Sequence, residues 1–363
     1  MGRVIGISIF LAVLAVSLLG LDLWLQLAEI QPPLENRADA ELGPVYRDNV
    51  RFSRFSEGFF LGGANEWGYL GKGAPPARTP GVVRIALMGD SFVLGHTVFE
   101  RHHFKETLAR ELSARVGQPV EVLNFARADY CLWNMHQHYV DHVLKWDPDL
   151  TLFFLSDGDL TPNYPADPAM YPYTELVDGE LRTNRDFLHS GKRRLYLRVE
   201  PVLTRLALPR LGFNLLKVID SGQWRGMLLG KFAPAQEDGP GVKLGEVPGP
   251  LSSEALAMPG PPLPEVTVRV LEDLARRDNC VAVIQWEIRP TNLKAIRRSG
   301  MPYFDLAPLW TEMQASGIDP WYWPVTGQRG HWNHEAHRAL GSYLAEKINR
   351  VRRGHSTSVP QLQ

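Results

Sequence analysis

The sequence predicts an α/β protein, a parallel sheet wrapped by helices and preceded by one transmembrane helix. Two observations predict it. The first is an apolar run near the N-terminus, Val4 to Gly20, which Leu21, Leu23, Trp24 and Leu25 carry past Asp22. The second is a later alternation of short apolar, β-branched segments with longer stretches of helical periodicity. The chain has 363 residues, 44% hydrophobic and 22% charged, which suffices for one sizeable domain with additions or for two modest ones. A formal net charge of −1 gives no global field that would draw the protein to nucleic acid.

Residues 1–25 read as a signal anchor, because about 18 to 20 apolar residues cross the hydrocarbon layer as a helix. Arg3 precedes the run, and Asp22, Glu29 and Glu35 follow it. That bias predicts a cytoplasmic N-terminus and an extracytoplasmic remainder, periplasmic or at the cell surface. A cleaved signal peptide is the alternative, although no small-x-small cleavage site precedes Asp22. Residues 26–80, rich in Pro, Gly and charge, read as an extended lead-in. Residues 81–351 read as the main domain and 352–363 as a disordered tail.

Within the domain, Val82 to Met88 is an apolar run ended by Gly89, as expected of a strand buried on both faces. Phe104, Leu108 and Leu112 then share a helix face. Val120 to Phe125 is a second strand, and Tyr139, Val140, Val143 and Leu144 mark another helix face. Leu150 to Leu155 is a third strand. Val266, Val270, Leu271 and Leu274 form a helical stripe that leads into a fourth strand, Cys280 to Ile284. In such folds chemistry sits beyond the carboxyl ends of the strands.

Between the third and fourth strands lies an insertion, 160–264. Its first part, rich in Pro, Tyr and Asp, reads as irregular. From Lys192 to Lys231 it carries nine Lys or Arg against Glu200 and Asp220, interleaved with apolar residues. Two readings stand for this basic stretch: a surface that lies against anionic lipid headgroups, or a solvated helical cover. Ala233 to Pro264, with eight prolines and five glycines, reads as a disordered or loosely draped loop.

Gly89-Asp90-Ser91 follows the first strand directly. A serine there stands on a strand-to-helix turn, with its hydroxyl at the sheet edge and backbone N–H groups behind it, which suits an attacking oxygen. The same tripeptide is also a good turn in its own right. Near the other end, Asn333 is placed to cap a helix whose apolar face is Ala336, Ala339, Leu340, Tyr343, Leu344 and Ile348. His331 falls on the loop before that cap, where an imidazole is able to take a serine proton near neutral pH. His334 and His337 read as surface histidines, because no third ligand at metal-binding spacing accompanies them. Cys131 and Cys280 read as buried thiols. No metal or cofactor is expected. Trp321, Tyr322, Trp323 and Trp332 either stack on sugar rings or seal their loop against the domain.

In order and spacing, Ile85-Ala86-Leu87-Met88-Gly89-Asp90-Ser91-Phe92, Val122-Leu123-Asn124-Phe125, Asp147-Pro148-Asp149-Leu150 and His331-Trp332-Asn333 resemble the SGNH (GDSL-type) hydrolases. Glu66-Trp67-Gly68-Tyr69-Leu70-Gly71 is similar to the lead-in of membrane-anchored members. The resemblance covers roughly residues 65–156 and 265–351. It implies a flavodoxin-like three-layer α/β/α sandwich and ester hydrolysis or acyl transfer on an acylated small molecule or polysaccharide. It also implies Ser91 as nucleophile and His331 as general base. In the family a glycine N–H and an asparagine side chain complete the oxyanion hole, and an acid two or three places before the histidine orients it. Those positions fall here at Asp129, Gly158 and Gln328 or Arg329. Losing one oxyanion donor costs about 3 to 4 kcal/mol, and losing the orienting carboxylate costs ~10⁴-fold in the serine-protease triad. Asp305 and Asp319 are candidates to supply the acid from elsewhere, and Arg329 to offer positive charge. The replacements leave two readings: an esterase or acyl-transfer enzyme, or a catalytically degenerate domain that binds a glycan or partner protein in an envelope assembly. A nucleotide-binding role is disfavoured, because no glycine-rich phosphate loop follows any strand.

Overall fold

The protein is described by a computed structural model that covers residues 2–28, 34–55, 57–160, 166–220 and 262–355, with 252, 254, 256 and 260. The chain divides into two compact units. One comprises Met1–Arg37 and Arg194–Val247, the other Ala38–Arg193 and Pro248–Gln363.

The first unit holds α1 (Gly2–Leu27) and, from Arg194 onward, α6 (Gly191–Arg205) and α7 (Ala207–Asp220). Within α1, Val4–Leu27 is 24 residues long and apolar enough to cross a membrane. Its apolar side chains from Val4 to Leu21 are exposed.

The second unit is built on strands β5 (Val83–Met88), β6 (Val120–Asn124), β7 (Leu150–Leu155), β10 (Cys280–Ile284) and β11 (Tyr303–Asp305). They pair in the order β6-β5-β7-β10-β11, every pairing parallel. Counted along the chain this is 2-1-3-4-5, the flavodoxin-like doubly wound order. Residues alternate between the two faces of the sheet. Ala86, Met88, Leu123, Phe153, Leu155, Ala282 and Ile284 belong to a core shared with α4 (Leu132–Asp141), α8 (Glu265–Ala275) and α9 (Pro290–Ser299). On the other face Phe104 of α3 (Phe104–Val116) meets Phe154 with ring centroids 5.4 Å apart, and α3 packs along α11 (His334–His355). Phe104, Leu108 and Leu112 are fully buried, as are Ala336, Leu340 and Leu344. The sandwich therefore has three layers.

The order of the strands fixes where chemistry belongs. β5 and β7 are neighbours from which the chain winds in opposite senses, so the crevice beyond their carboxyl ends is the topological switch point. The short helices α2 (Ser91–Leu94) and α5 (Asp157–Leu160) begin there.

Several elements differ from expectation. β11 is only three residues long and carries too little periodicity to be read. Leu144 is exposed, because the helix α4 ends at Asp141 and a 3₁₀ turn rotates Leu144 outward. Residues 38–80 form more than an extended lead-in: β3 (Arg51–Arg54) pairs antiparallel with β4 (Phe60–Gly63), and Leu42, Val45, Phe52, Phe60, Tyr69 and Leu70 are buried. The first part of the insertion contains an antiparallel hairpin, β8 (Tyr173–Val177) with β9 (Glu180–Asn184). The loop expected at Ala233 to Pro264 lies almost wholly outside the described residues, as does most of the tail from residue 352. Cys131 and Cys280 are buried free thiols, pushed up to about 11 by burial.

Candidate active site

Ser91 is the first residue of α2. Asp90 caps that helix by accepting a hydrogen bond from the Phe92 N–H at 2.9 Å. The turn is held from two sides. Asn124, at the end of β6, donates through Nδ2 to the carbonyls of Val93 and Leu94 at 2.9 and 3.3 Å. Gly95 ends α2 at φ +71, where a Cβ would strike the His103 ring at 2.0 Å. The serine is thereby set rigidly above the sheet edge.

His331 arrives from the loop before α11. Trp332, with no exposed surface, wedges among Phe92, Phe104 and Trp310 at centroid distances of 5.2, 6.2 and 5.6 Å. Asn333 accepts from the Ala336 N–H at 2.9 Å as helix cap and donates to the carbonyls of Asp319 and Tyr322 at 2.7 and 2.8 Å. The Trp323 indole N–H donates to the His331 carbonyl at 3.0 Å. With both flanks pinned, the imidazole has one place to go, and Nε2 lies 2.8 Å from Ser91 Oγ.

The other face of that imidazole meets Glu57, a residue that sequence reasoning did not single out. Its carboxylate oxygens both lie 3.0 Å from His331 Nδ1, and Oε2 accepts the His331 backbone N–H at 2.5 Å. Two glycines make the approach feasible. A Cβ on Gly330 would sit 2.2 Å from Glu57 Oε2, and one on Gly58 would sit 2.3 Å from both the Thr97 carbonyl and the Trp323 ring. The Thr326 hydroxyl donates to the Glu57 carbonyl at 2.5 Å and anchors it.

Burial raises the Glu57 pKa, but hydrogen bonds and charge attraction from His331 outweigh it, and the carboxyl ends below its ordinary 4.5. An ionised Glu57 accepts only, so it selects the tautomer with a proton on Nδ1 and a lone pair on Nε2 facing Ser91. His96 lies with its ring centroid 5.3 Å from that of His331, and burial, then His331 and Arg54, push it down to about 4. His96 is therefore neutral at neutral pH and adds no charge beside the base.

Asp129 and Gly158, the positions expected for the oxyanion groups, follow β6 and β7, the strands that pair with β5 on either side. Asp129 lies on the loop after β6, exposed, with φ +63, the left-handed region that glycine favours. That loop is fastened to the serine turn by the Arg127 N–H donating to the Gly89 carbonyl at 3.1 Å. Gly158 lies in α5 after β7, exposed and without a side chain to donate. Next to it, burial and then the negative charge of Asp90 hold the Asp159 carboxyl well above its ordinary range. The Ser156 N–H and hydroxyl both donate to Asp159 at 2.7 Å.

Some expected partners are elsewhere. Arg329 does not orient His331; it lies on the short strand β13 (Gln328–Arg329), exposed, and pairs with Asp319 at 2.5 Å. Asp305 accepts from the Ala307 N–H at 2.9 Å, and Asp319 is also engaged by the Trp321 N–H at 3.0 Å. Neither reaches His331, whose acid comes from the opposite end of the chain. His337 is fully buried rather than on the surface: it accepts the Phe104 N–H at 3.2 Å, and burial holds its pKa well below 6.5. Trp321, Trp323 and Trp332 are buried and seal the loop, leaving Tyr322 exposed. Among the described residues no group of three His, Cys, Asp or Glu is arranged to hold a metal ion.

No protein-family model matches the chain, and no curated protein matches it in sequence. Similar solved structures include a lipase/acylhydrolase from Enterococcus faecalis, 12% identical, covering 74% of this chain and 96% of that one at a TM-score of 0.35. A lipolytic protein of the G-D-S-L family from Desulfitobacterium hafniense is 9% identical, with 73% and 98% covered at 0.32. A two-domain esterase active on acetylated mannans is 9% identical, with 77% and 52% covered at 0.37. At that distance no residue role passes from them to this chain.

Two outcomes test the site's construction. Gly330→Ala should lower stability at neutral pH by an amount similar to Glu57→Gln, since the Cβ strikes the buried Glu57 carboxylate that His331 holds. It should also displace the Glu57 carboxylate, visible in a crystal structure as a broken contact to His331 Nδ1. The second concerns pH. The folded-state pKa of Glu57 lies below its unfolded value of 4.5, so its stabilisation is fully present above that value and is lost as pH falls through the folded one. The gap in Tm between wild type and Glu57→Gln should therefore shrink as pH drops below about 4.5; thermal melts showing a pH-independent gap would contradict it.

Proposed function

We propose that this chain is an ester hydrolase or acyl-transfer enzyme of the SGNH type, with Ser91 as nucleophile, His331 as general base and Glu57 as the acid that orients it. One observation carries the proposal. Three side chains from remote segments form a continuous hydrogen-bonded row, carboxylate to imidazole to hydroxyl, at the switch point of a doubly wound sheet. A nucleophile within hydrogen-bond reach of a base, itself held by a third group, is the pattern of an activated serine.

In this reading Ser91 Oγ attacks the ester carbonyl while Nε2 of His331 takes its proton. Glu57 stabilises the imidazolium that forms. The proton then passes to the leaving alkoxide, and water, or an acceptor hydroxyl in a transfer reaction, releases the acyl group from Ser91 by the reverse sequence. The developing oxyanion would be met by the Ser91 N–H at the start of α2 and by the backbone N–H of Asp129, which holds the left-handed φ that glycine favours. Gly158 supplies no side-chain donor, and the Asp129 carboxylate opposes negative charge. This site is accordingly expected to be slower than one with the full donor set. Those two replacements also support a second reading, an SGNH-like domain that binds a glycan or partner protein without turnover.

The apolar helix α1 supports a single-pass anchor with the domain outside the cytoplasm. The family resemblance and that anchor together favour O-acyl groups of an envelope or secreted glycan as substrate.

A fluorophosphonate probe separates the two readings. The enzyme reading expects labelling of wild type and none of Ser91→Ala; on a short-chain aryl ester, Ser91→Ala should fall at least ~10⁴-fold in kcat and Glu57→Gln by up to ~10⁴-fold. Folded wild type that is neither labelled nor active leaves the binding reading. Asp129→Gly removes the opposing carboxylate while keeping the backbone conformation, so kcat should rise, with a change in KM smaller than that in kcat; an unchanged or lower kcat removes Asp129 from the oxyanion site.

A further inference from the structure

We propose that α6 and α7 lie in the membrane interface beside α1, with an apolar stripe among the lipid acyl chains and a row of arginines on anionic headgroups. The first observation is how the helices are tied to α1. Asp22 would be a costly group at the edge of an apolar span, yet it is only 5% exposed. Its carboxylate accepts the Leu208 backbone N–H, at the start of α7, at 2.7 Å and the Gln26 amide at 2.6 Å. Gln26 also donates to the Arg205 carbonyl, at the end of α6, at 3.1 Å. The N-terminal end of α7 thus provides the acid with a hydrogen-bonded partner, and the α6–α7 junction is fixed at the level of residues 22–26.

That level coincides with the membrane boundary. Asp22 follows Val4 by five helical turns, about 27 Å along the axis, against a hydrocarbon layer of roughly 30 Å. A helix pair attached there meets headgroups rather than bulk water.

The surface presented at that depth is the second observation. In α6, Leu195, Val199 and Val202 stand at i, i+4 and i+7, one stripe of the helix, with Leu195 61% and Val202 45% exposed. Arg194, Arg198 and Arg205, at i, i+4 and i+11, form the adjacent ridge and are all exposed. In α7, Leu215 and Leu216 are 52% and 65% exposed. The side of α6 opposite the arginine ridge is occupied: Leu203 is buried, and the Tyr196 hydroxyl donates to the Asn36 carbonyl at 2.8 Å. An apolar stripe flanked by arginine is the pattern of an interfacial helix, and the arginines are drawn to an anionic surface.

The test uses the full-length chain in bilayers of phosphatidylcholine with or without phosphatidylglycerol. Because the two native cysteines are buried, an environment-sensitive fluorophore is placed at Val202→Cys, with Val13→Cys reporting the span itself and Glu312→Cys an aqueous reference. The Val202 probe should be quenched by lipids spin-labelled just below the headgroup. It should also be several-fold less accessible to iodide than Glu312. Both effects should grow with phosphatidylglycerol and lose that dependence when Arg194, Arg198 and Arg205 are changed to Gln. Water-like accessibility at Val202 while the Val13 probe is lipid-quenched overturns the proposal. So does lipid contact indifferent to phosphatidylglycerol, and so does protection from both quenchers, which would mark a protein partner instead.

Discussion

The hydrogen-bonded row Glu57–His331–Ser91 is the interaction on which the site's chemistry depends, and every segment around it is built to make it short. Each member comes from a different part of the chain. Ser91 is set by the carboxyl end of β5 and by Asn124, which grips the carbonyls of α2. His331 is set by its neighbours, Trp332 wedged in an aromatic core and Asn333 capping the last helix. Glu57 is set by a hairpin connection and by two glycines where no side chain has room. A row of three groups is useful only if all the distances are right together, which explains why so much of the surrounding packing is aromatic and rigid.

Much of this was legible in the sequence. The four longer strands announce themselves as apolar, β-branched runs, and the Ser91 and His331 positions follow from where those runs end and where the last helix must be capped. Glu57 was not legible. It lies 274 positions from its partner, in a segment with neither helical nor strand periodicity long enough to register, and its only local mark is Gly58, whose crowding against Trp323 is visible only in three dimensions. The short strand β11 and the hairpin β8–β9 escaped for a related reason: their pairing partners, rather than their own composition, make them strands. Position-for-position reasoning found no acid at Gln328 or Arg329 and looked to Asp305 and Asp319 instead, whereas the carboxylate on His331 is that of Glu57, from the other end of the chain. His337 was misread although it stands three before Leu340 and seven before Leu344, within the apolar face that the spacing marks, because a polar side chain was assigned to the surface by type.

In the proposed reading, the site combines a carboxylate–imidazole–hydroxyl row with replaced residues at the positions expected for oxyanion donors. Asp129 keeps a backbone conformation suited to glycine while bringing a charge, and Gly158 keeps a small residue where a donor would help. The two buried carboxyls nearby, Asp90 and Asp159, are tied to the first turns after β5 and β7 and hold those turns in place through Phe92 and Ser156.

The most direct test is the protonation pattern of the His331 ring, read from its nitrogen and proton resonances in protein labelled with ¹⁵N-histidine. With Glu57 ionised beneath it, the ring should carry its proton on Nδ1, giving a strongly low-field proton signal near neutral pH that disappears in Glu57→Gln, while Nε2 shows the shift of an unprotonated acceptor. A ring protonated on Nε2, or a spectrum indifferent to removal of the Glu57 charge, would mean that the carboxylate, imidazole and hydroxyl do not act as one unit.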